Sequence, residues 1–321
     1  MLVYFLFAVG LFFLVKGASV FVKGAAALAK RLHMSNLMIG LTVLAMGTSL
    51  PEFIINVVSA AKGNTGIALG NIVGSNMANI MLILGITAMI SVARLDGSSL
   101  WREIPFSFLS IIVIIILAND VILNKAQENV FTRGDGLILL SFFLLFVYYI
   151  FLLVRNARHD AVARDVHVKD YASYEIFGML AIGMFALYVG GQWTVDGAVH
   201  IATMFGLSEF VISATIIAIG TSLPELVISI IAAARHDVSL AVGNIIGSNI
   251  FNAFFVLGAT FVIHDVPFTP MLNYDLLFLL VATFLLFMFA FVDRKHQISR
   301  KNGLVFIGIY VLYIVYLLGF R

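Results

Sequence analysis

Apolar residues in this chain do not alternate, nor do they recur at a helical period. They run on for about 20 positions at a time, the length an α-helix needs to cross a hydrocarbon core of about 30 Å. Ten stretches reach or approach that length: 2–30, 36–61, 65–92, 103–118, 134–154, 174–203, 209–234, 239–263, 272–292 and 302–319. The pattern predicts an all-α polytopic membrane protein of about ten transmembrane helices. The second, third, seventh and eighth stretches stand apart, because they carry Gly, Pro, Ser and Asn at mid-membrane depth where a lipid-facing helix shows Leu, Ile and Val. One long polar stretch, 155–173, mixes Arg155, Arg158, Arg164 and Lys169 with Asp160, Asp165 and Asp170. It reads as a cytoplasmic linker between a first half, 1–154, and a second, 174–321, of five spans each.

Composition sharpens this picture. Only 11% of the 321 residues are charged, against about 25% in an average soluble protein, and the mean hydropathy is +1.07; a soluble globule is excluded. The net charge of +2 is too small to suggest a nucleic-acid partner. Lys and Arg instead report orientation: 13 fall in loops on one side and 4 on the other, which under the positive-inside rule leaves both termini non-cytoplasmic. The first span lacks a positive region ahead of it and a clear cleavage site, so it reads as a retained helix. With no cysteine in the chain, thiolate chemistry, iron–sulfur clusters and Cys-ligated zinc are excluded.

Shifting the sequence by 173 residues superimposes Gly47-Thr48-Ser49-Leu50-Pro51-Glu52 on Gly220-Thr221-Ser222-Leu223-Pro224-Glu225. The same shift, without a gap, brings Gly70-Asn71-Ile72-Val73-Gly74-Ser75-Asn76 onto Gly243-Asn244-Ile245-Ile246-Gly247-Ser248-Asn249, and Asn79 onto Asn252. Between 40 and 85 there are 21 identities in 46 positions. Five crossings separate the two copies, an odd number, so they enter the membrane from opposite sides. Inverted repeats of this kind build many secondary transporters, with the site at the midplane where interrupted helices meet.

Glu52 and Glu225 are the acidic residues in the middle of the spans. A carboxylate there costs about 2.5–3.5 kcal/mol or more on insertion scales and faces a bundle interior or an aqueous path. Proline before each glutamate has no N–H and strains the preceding turn, which predicts a bend or opening that frees carbonyls around Ala45–Thr48 and Ala218–Thr221. Thr48 and Glu52 stand at i and i+4 on one helical face, as do Asn71, Ser75 and Asn79, with Asn244, Ser248 and Asn252 repeating the stripe. An all-oxygen set of carboxylates, hydroxyls, amides and carbonyls suits hard cations such as Ca²⁺ and Na⁺. Two ionised glutamates balance one Ca²⁺ or two Na⁺, so the ions compete for one site, which is the physical basis of exchange.

These residues resemble the two α-repeats of the calcium/cation antiporter superfamily, in its sodium/calcium exchanger branch of prokaryotic type. The resemblance rests on G-T-S-L-P-E followed by G-N-x-x-G-S-N-x-x-N, present twice. It implies a secondary active antiporter that exchanges Ca²⁺ for Na⁺ by alternating access, with the first and sixth spans as a sliding pair. It implies Glu52 and Glu225 as central shared ligands, supported by Thr48, Ser49, Thr221, Ser222, Ser75, Asn79, Ser248 and the carbonyls of Ala45 and Ala218. Asn252 stands where the sodium/calcium members often carry Asp. That makes the site symmetric and one carboxylate poorer, bears on coupling stoichiometry, and speaks against potassium dependence. The acidic helix signature of the proton/calcium branch is absent.

The resemblance also implies an inner membrane of a prokaryote, membrane lipid as surroundings and no cofactor beyond the transported Ca²⁺ and Na⁺. Exchange of Ca²⁺ or another divalent ion against H⁺ is the nearest alternative, and a cation channel a more distant one. No nucleophile with a mid-span His or Lys base points to an enzyme. Lys16 and Lys23 read as snorkelling side chains, Lys23 having Asp196 as its repeat equivalent. The seven histidines show no zinc spacing, and Trp101 and Trp193 read as interface anchors.

Overall fold

A computed structural model describes residues 2–32, 34–61, 65–94, 100–157, 171–204, 218–292 and 296–320. Helices account for nearly all of them. Among the described residues, eight are long and apolar enough to cross a membrane: Leu2–Leu32, Asn36–Val57, Ala68–Ile90, Arg133–Arg155, Ser173–Thr194, Val238–Ile263, Leu272–Phe291 and Arg300–Leu317. Beside them stand the 18-residue helix Leu100–Leu117 and the shorter apolar helix Leu223–Ala234. Of the predicted span 209–234, the part before 218 lies outside the described residues, as does most of the predicted linker.

The helices Leu2–Leu32 and Ser173–Met204 form one antiparallel pair held by glycine. Their register is fixed by contacts at Phe7–Gly197, Gly10–Gly190, Gly17–Gly183 and Gly24–Leu180. A Cβ on Gly183 would sit 2.8 Å from the Phe21 backbone nitrogen and 2.9 Å from the Gly17 carbonyl, so only glycine lets the two backbones approach this closely. A second close contact runs parallel: Gly40 lies against Leu240 and Asn244, and Gly247 against Leu41 and Ala45. This contact presses the Glu52 copy of the repeat into the helix that begins at Val238.

The motif-bearing helices are irregular where hydropathy alone gives no warning. Gly40–Leu44, Ala78–Ile83 and Phe251–Val256 are wound as π-helix, a form that concentrates at functional sites. Ser49 (φ −86°, ψ 8°) and Ser222 (φ −87°, ψ 8°) interrupt the helix at the third residue of each G-T-S-L-P-E motif. The predicted break therefore falls two residues before Pro51 and Pro224.

Among the described residues, two very short antiparallel ribbons accompany the helices: Ala93–Arg94 with Gln297–Ile298, and Val130–Phe131 with Val266–Pro267. Each joins a loop of the first half to one of the second. They bracket the helices Leu100–Leu117 and Leu272–Val292 at opposite ends.

Candidate cation site

The breaks at Ser49 and Ser222 turn the two glutamates toward each other's motif. Ser49 Oγ donates to Glu225 Oε1 at 2.9 Å, and Ser222 Oγ to Glu52 Oε1 at 3.5 Å. The threonine contacts are reciprocal as well. Thr48 Oγ1 donates to Asn244 Oδ1 at 3.3 Å and lies 3.4 Å from Ser248 Oγ; Thr221 Oγ1 donates to Asn71 Oδ1 at 3.2 Å and lies 3.2 Å from Ser75 Oγ. Ser248 Oγ also donates to Glu225 Oε1 at 3.4 Å. Both glutamates are fully buried, close enough for their charges to interact, and among the described residues no third Asp, Glu, His or Cys joins them as a group.

Asn79 and Asn252 enter through their neighbours. Asn79 Nδ2 donates to Asn249 Oδ1 at 2.9 Å, and Asn252 Nδ2 to Asn76 Oδ1 at 3.2 Å. Asn76 and Asn249 in turn each donate to the other's carbonyl at 3.3 Å. With their amide nitrogens so occupied, Asn79 Oδ1 and Asn252 Oδ1 are buried without a hydrogen-bond partner, as are Glu52 Oε2 and Glu225 Oε2. Buried polar atoms are ordinarily paired; four orphaned oxygens at repeat-equivalent positions are oxygens suited to a cation.

The Ala45 carbonyl is engaged rather than freed. It accepts from the Ser49 amide at 3.1 Å, from Thr48 Oγ1 at 3.4 Å and from Ser248 Oγ at 3.5 Å. Pro51 and Pro224, lacking an N–H, instead leave the carbonyls of Gly47 and Gly220, four residues back, without a helical donor. Ala218 lies in the described helical stretch Ala218–Thr221.

Several residues escaped the sequence reading. Asn56 and Ser229 brace the asparagines of the partner helix: Asn71 Nδ2 donates to Asn56 Oδ1 at 2.9 Å and Asn244 Nδ2 to Ser229 Oγ at 3.4 Å. Their signal was available, since each stands four residues after a glutamate and shares its face. Glu103 and Asp275 are also buried. Tyr149 donates to Glu103, and Tyr313 Oη donates to Asp275 Oδ1 at 3.3 Å.

Two cavities lie against the Ser173–Met204 helix and reach the motifs. One, of about 370 Å³, meets Thr48 and is walled by Phe21, Met184, Phe185 and Leu187. The other, of about 320 Å³, meets Thr221 and is walled by Tyr188, Gln192 and Asp196, with Pro51 and Pro224 between the two.

A helical membrane bundle that buries two carboxylates among hydroxyls and amides has the architecture of a transporter for small cations. The chain matches the family described as sodium/calcium exchanger protein over residues 2–152 and 175–319, and it belongs to that family of cation antiporters. It is 35% identical to the putative antiporter CaxA of Alkalimonas amylolytica over 315 residues, 95% of each chain. It is 29% identical to the sodium/calcium exchanger MaX1 of Methanosarcina acetivorans over 96% of each. The sodium-calcium exchanger NCX_Mj superimposes with a TM-score of 0.81 at 31% identity, covering 100% of this chain and 99% of the other.

Proposed function

We propose that this chain exchanges Ca²⁺ for Na⁺ across the membrane by alternating access at one midplane site of oxygen ligands. The observation that carries the reading is the set of four buried, unpartnered oxygens on Glu52, Glu225, Asn79 and Asn252. Hard cations recruit six to eight such oxygens in the case of Ca²⁺. Glu52 and Glu225 are the shared ligands; Thr48, Ser49, Ser75, Thr221, Ser222 and Ser248 supply hydroxyls, the Ala218 carbonyl joins them, and the Ala45 carbonyl does so once Thr48 and Ser248 turn their hydroxyls from it to the ion. The relatives MaX1 and NCX_Mj are named as sodium/calcium exchangers, which supports the choice of ions.

Two carboxylates neutralise one Ca²⁺ or two Na⁺, and either occupancy offsets the repulsion between them. An empty site keeps two like charges in a low-dielectric interior and crosses reluctantly. The reading includes ten spans in two inverted halves, 1–154 and 174–321, joined by a cytoplasmic linker at 155–173. Antiparallel packing of the first helix against its repeat counterpart supports the inversion. Both termini are non-cytoplasmic, in the inner membrane of a prokaryote.

The test is ⁴⁵Ca²⁺ uptake into proteoliposomes loaded with Na⁺ and diluted into K⁺, Li⁺ or Na⁺ media, with an imposed pH gradient as control. Uptake that requires the outward Na⁺ gradient, and disappears in Glu52→Gln and Glu225→Gln, is the expected result. Uptake that follows the pH gradient and ignores Na⁺ would overturn sodium as the coupling ion and make Asn252 the mark of proton exchange.

A further inference from the structure

A carboxylate offers a cation two equivalent oxygens, whereas an amide has one end that attracts a cation and one that repels it. Glu52 and Glu225 can therefore serve in either orientation, and Asn79 and Asn252 in one only. Asn76 and Asn249 stand three residues before these asparagines, and in each copy the winding changes to π between the two, at Ala78 and Phe251. All four asparagines are buried.

The polarity of this group is set by atoms that have no choice, since a backbone carbonyl can only accept. The Asn76 carbonyl accepts from Asn249 Nδ2 and the Asn249 carbonyl from Asn76 Nδ2, both at 3.3 Å. Each side chain must then present Oδ1 on its other side. Asn249 Oδ1 accepts from Asn79 Nδ2 at 2.9 Å, and Asn76 Oδ1 from Asn252 Nδ2 at 3.2 Å. That leaves Oδ1 of Asn79 and of Asn252 as the buried, unpartnered ends. Turning any one of the four amides over would set oxygen against oxygen and strand buried polar atoms.

The same device recurs beside the threonines. The Ala68 carbonyl accepts from Asn56 Nδ2 at 3.1 Å, Asn56 Oδ1 from Asn71 Nδ2 at 2.9 Å, and Asn71 Oδ1 from Thr221 Oγ1 at 3.2 Å. The Thr221 proton is thereby committed to Asn71.

We propose that Asn76 and Asn249 are positioning residues that act across the repeat boundary, Asn249 orienting Asn79 and Asn76 orienting Asn252, so that each half of the chain sets the amide ligand of the other. The inference deepens the antiport reading and rests on its ligand set. Neither residue touches the ion. Partners that orient a ligand of a bound ion are worth about 10–100-fold in its affinity.

Calorimetric titration of Ca²⁺ into the purified full-length protein tests this as a set of double-mutant cycles. Asn249→Leu keeps the bulk of the side chain and leaves the backbone carbonyl that holds Asn76, so its effect passes through Asn79. It weakens Ca²⁺ binding by about tenfold. In an Asn79→Ala background the same substitution changes affinity by less than about twofold, whereas in an Asn252→Ala background it again costs about tenfold. Asn76→Leu gives the mirror image, coupled to Asn252 and independent of Asn79. Asn249→Ala and Asn76→Ala take over where a leucine variant does not fold. A loss of packing alone weakens binding alike in every background and produces no crossed pairing.

Leucine variants that bind Ca²⁺ as the wild type does, that are additive with both ligand asparagines, or that couple to the asparagine of their own copy would overturn the proposal. The titrations need no turnover. If the crossed pairing is found while wild-type vesicles exchange no Na⁺ for Ca²⁺, the antiport reading fails and the orienting role stands. If vesicles exchange as expected while every cycle is additive, the orienting role fails alone; a wild type that binds no Ca²⁺ overturns both.

Discussion

The two copies of the repeat hold the same motif residues in different surroundings. Glu225 is gripped by Ser49 at 2.9 Å and Ser248 at 3.4 Å, whereas Glu52 meets Ser222 at 3.5 Å. Thr48, in the first copy, faces a cavity walled by Phe21, Met184 and Phe185; Thr221, in the second, faces one walled by Gln192 and Asp196, and Tyr188 lines both. Identical ligands can thus have unlike approaches. Symmetry resides in the central oxygens, and the difference lies in the side chains that neighbouring helices turn toward them.

The strongest way to break the comparison is to remove one carboxylate at a time. Glu52→Gln and Glu225→Gln each lower ⁴⁵Ca²⁺ exchange by about 100-fold or more, since loss of even an outer partner of a bound ion costs about 10–100-fold. A variant of either residue that retains most of the exchange would show that the central pair is not shared. Next, Asn79→Asp and Asn252→Asp each add one charge at equivalent positions, and ligand charge tunes Ca²⁺ affinity. Titration of Ca²⁺ binding to the purified protein should show both variants tightening by about tenfold and agreeing with each other. Divergent affinities would place the asymmetry inside the ligand set.

A smaller effect separates glycines that pack from glycines that do not. Gly183→Ala forces the antiparallel pair apart and costs about 1–3 kcal/mol, as overpacking does, with slower exchange. Gly178, on the same helix, has nothing within 4 Å of where a Cβ would lie, so Gly178→Ala is neutral or gains about 0.4–1 kcal/mol. Thermal unfolding in detergent reads both.

The smallest effect concerns Asp237, which caps the Val238–Ile250 helix and accepts from Asn36 Nδ2 at 2.9 Å. Burial pushes its carboxyl above the ordinary value, against the opposing pull of hydrogen bonds from Asn36 and the Leu240 amide. The folded protein thus binds that proton more tightly than the unfolded chain does, and stability falls as pH rises from the ordinary Asp value through the raised one. The first copy has Asn64 at the equivalent position. Asp237→Asn makes the copies alike and removes this slope, which thermal unfolding across mildly acid pH measures.

Much of the site was legible because its residues are repeated: identity at a fixed offset marks Glu52 and Glu225, their serines and threonines, and the asparagine stripes, whatever the helices do. The π-helical windings at 40–44, 78–83 and 251–256 were not, since an apolar run looks the same at either pitch. Glu103 and Asp275 went unremarked because they stand at the ends of spans, where a charge is unexceptional, and their tyrosines lie 46 and 38 residues further along the chain. Asn56 and Ser229 share a role and differ in identity, so a search for identities passed over them. The cavities depend on which side chains of distant helices meet, and no single stretch of sequence states that.

The two short ribbons divide the molecule mechanically. They tie loops of the two halves together at both ends of the Leu100–Leu117 and Leu272–Val292 helices, so under the proposed alternating access that part of the bundle is the stator. Among the described residues no such staple reaches Leu2–Leu32 or Ser173–Met204. That pair has a glycine track inside and exposed Leu and Phe outside, the surfaces a slider would need under the proposed alternating access. A disulfide introduced across either ribbon should therefore leave turnover intact, whereas one between the slider and the frame should stop it.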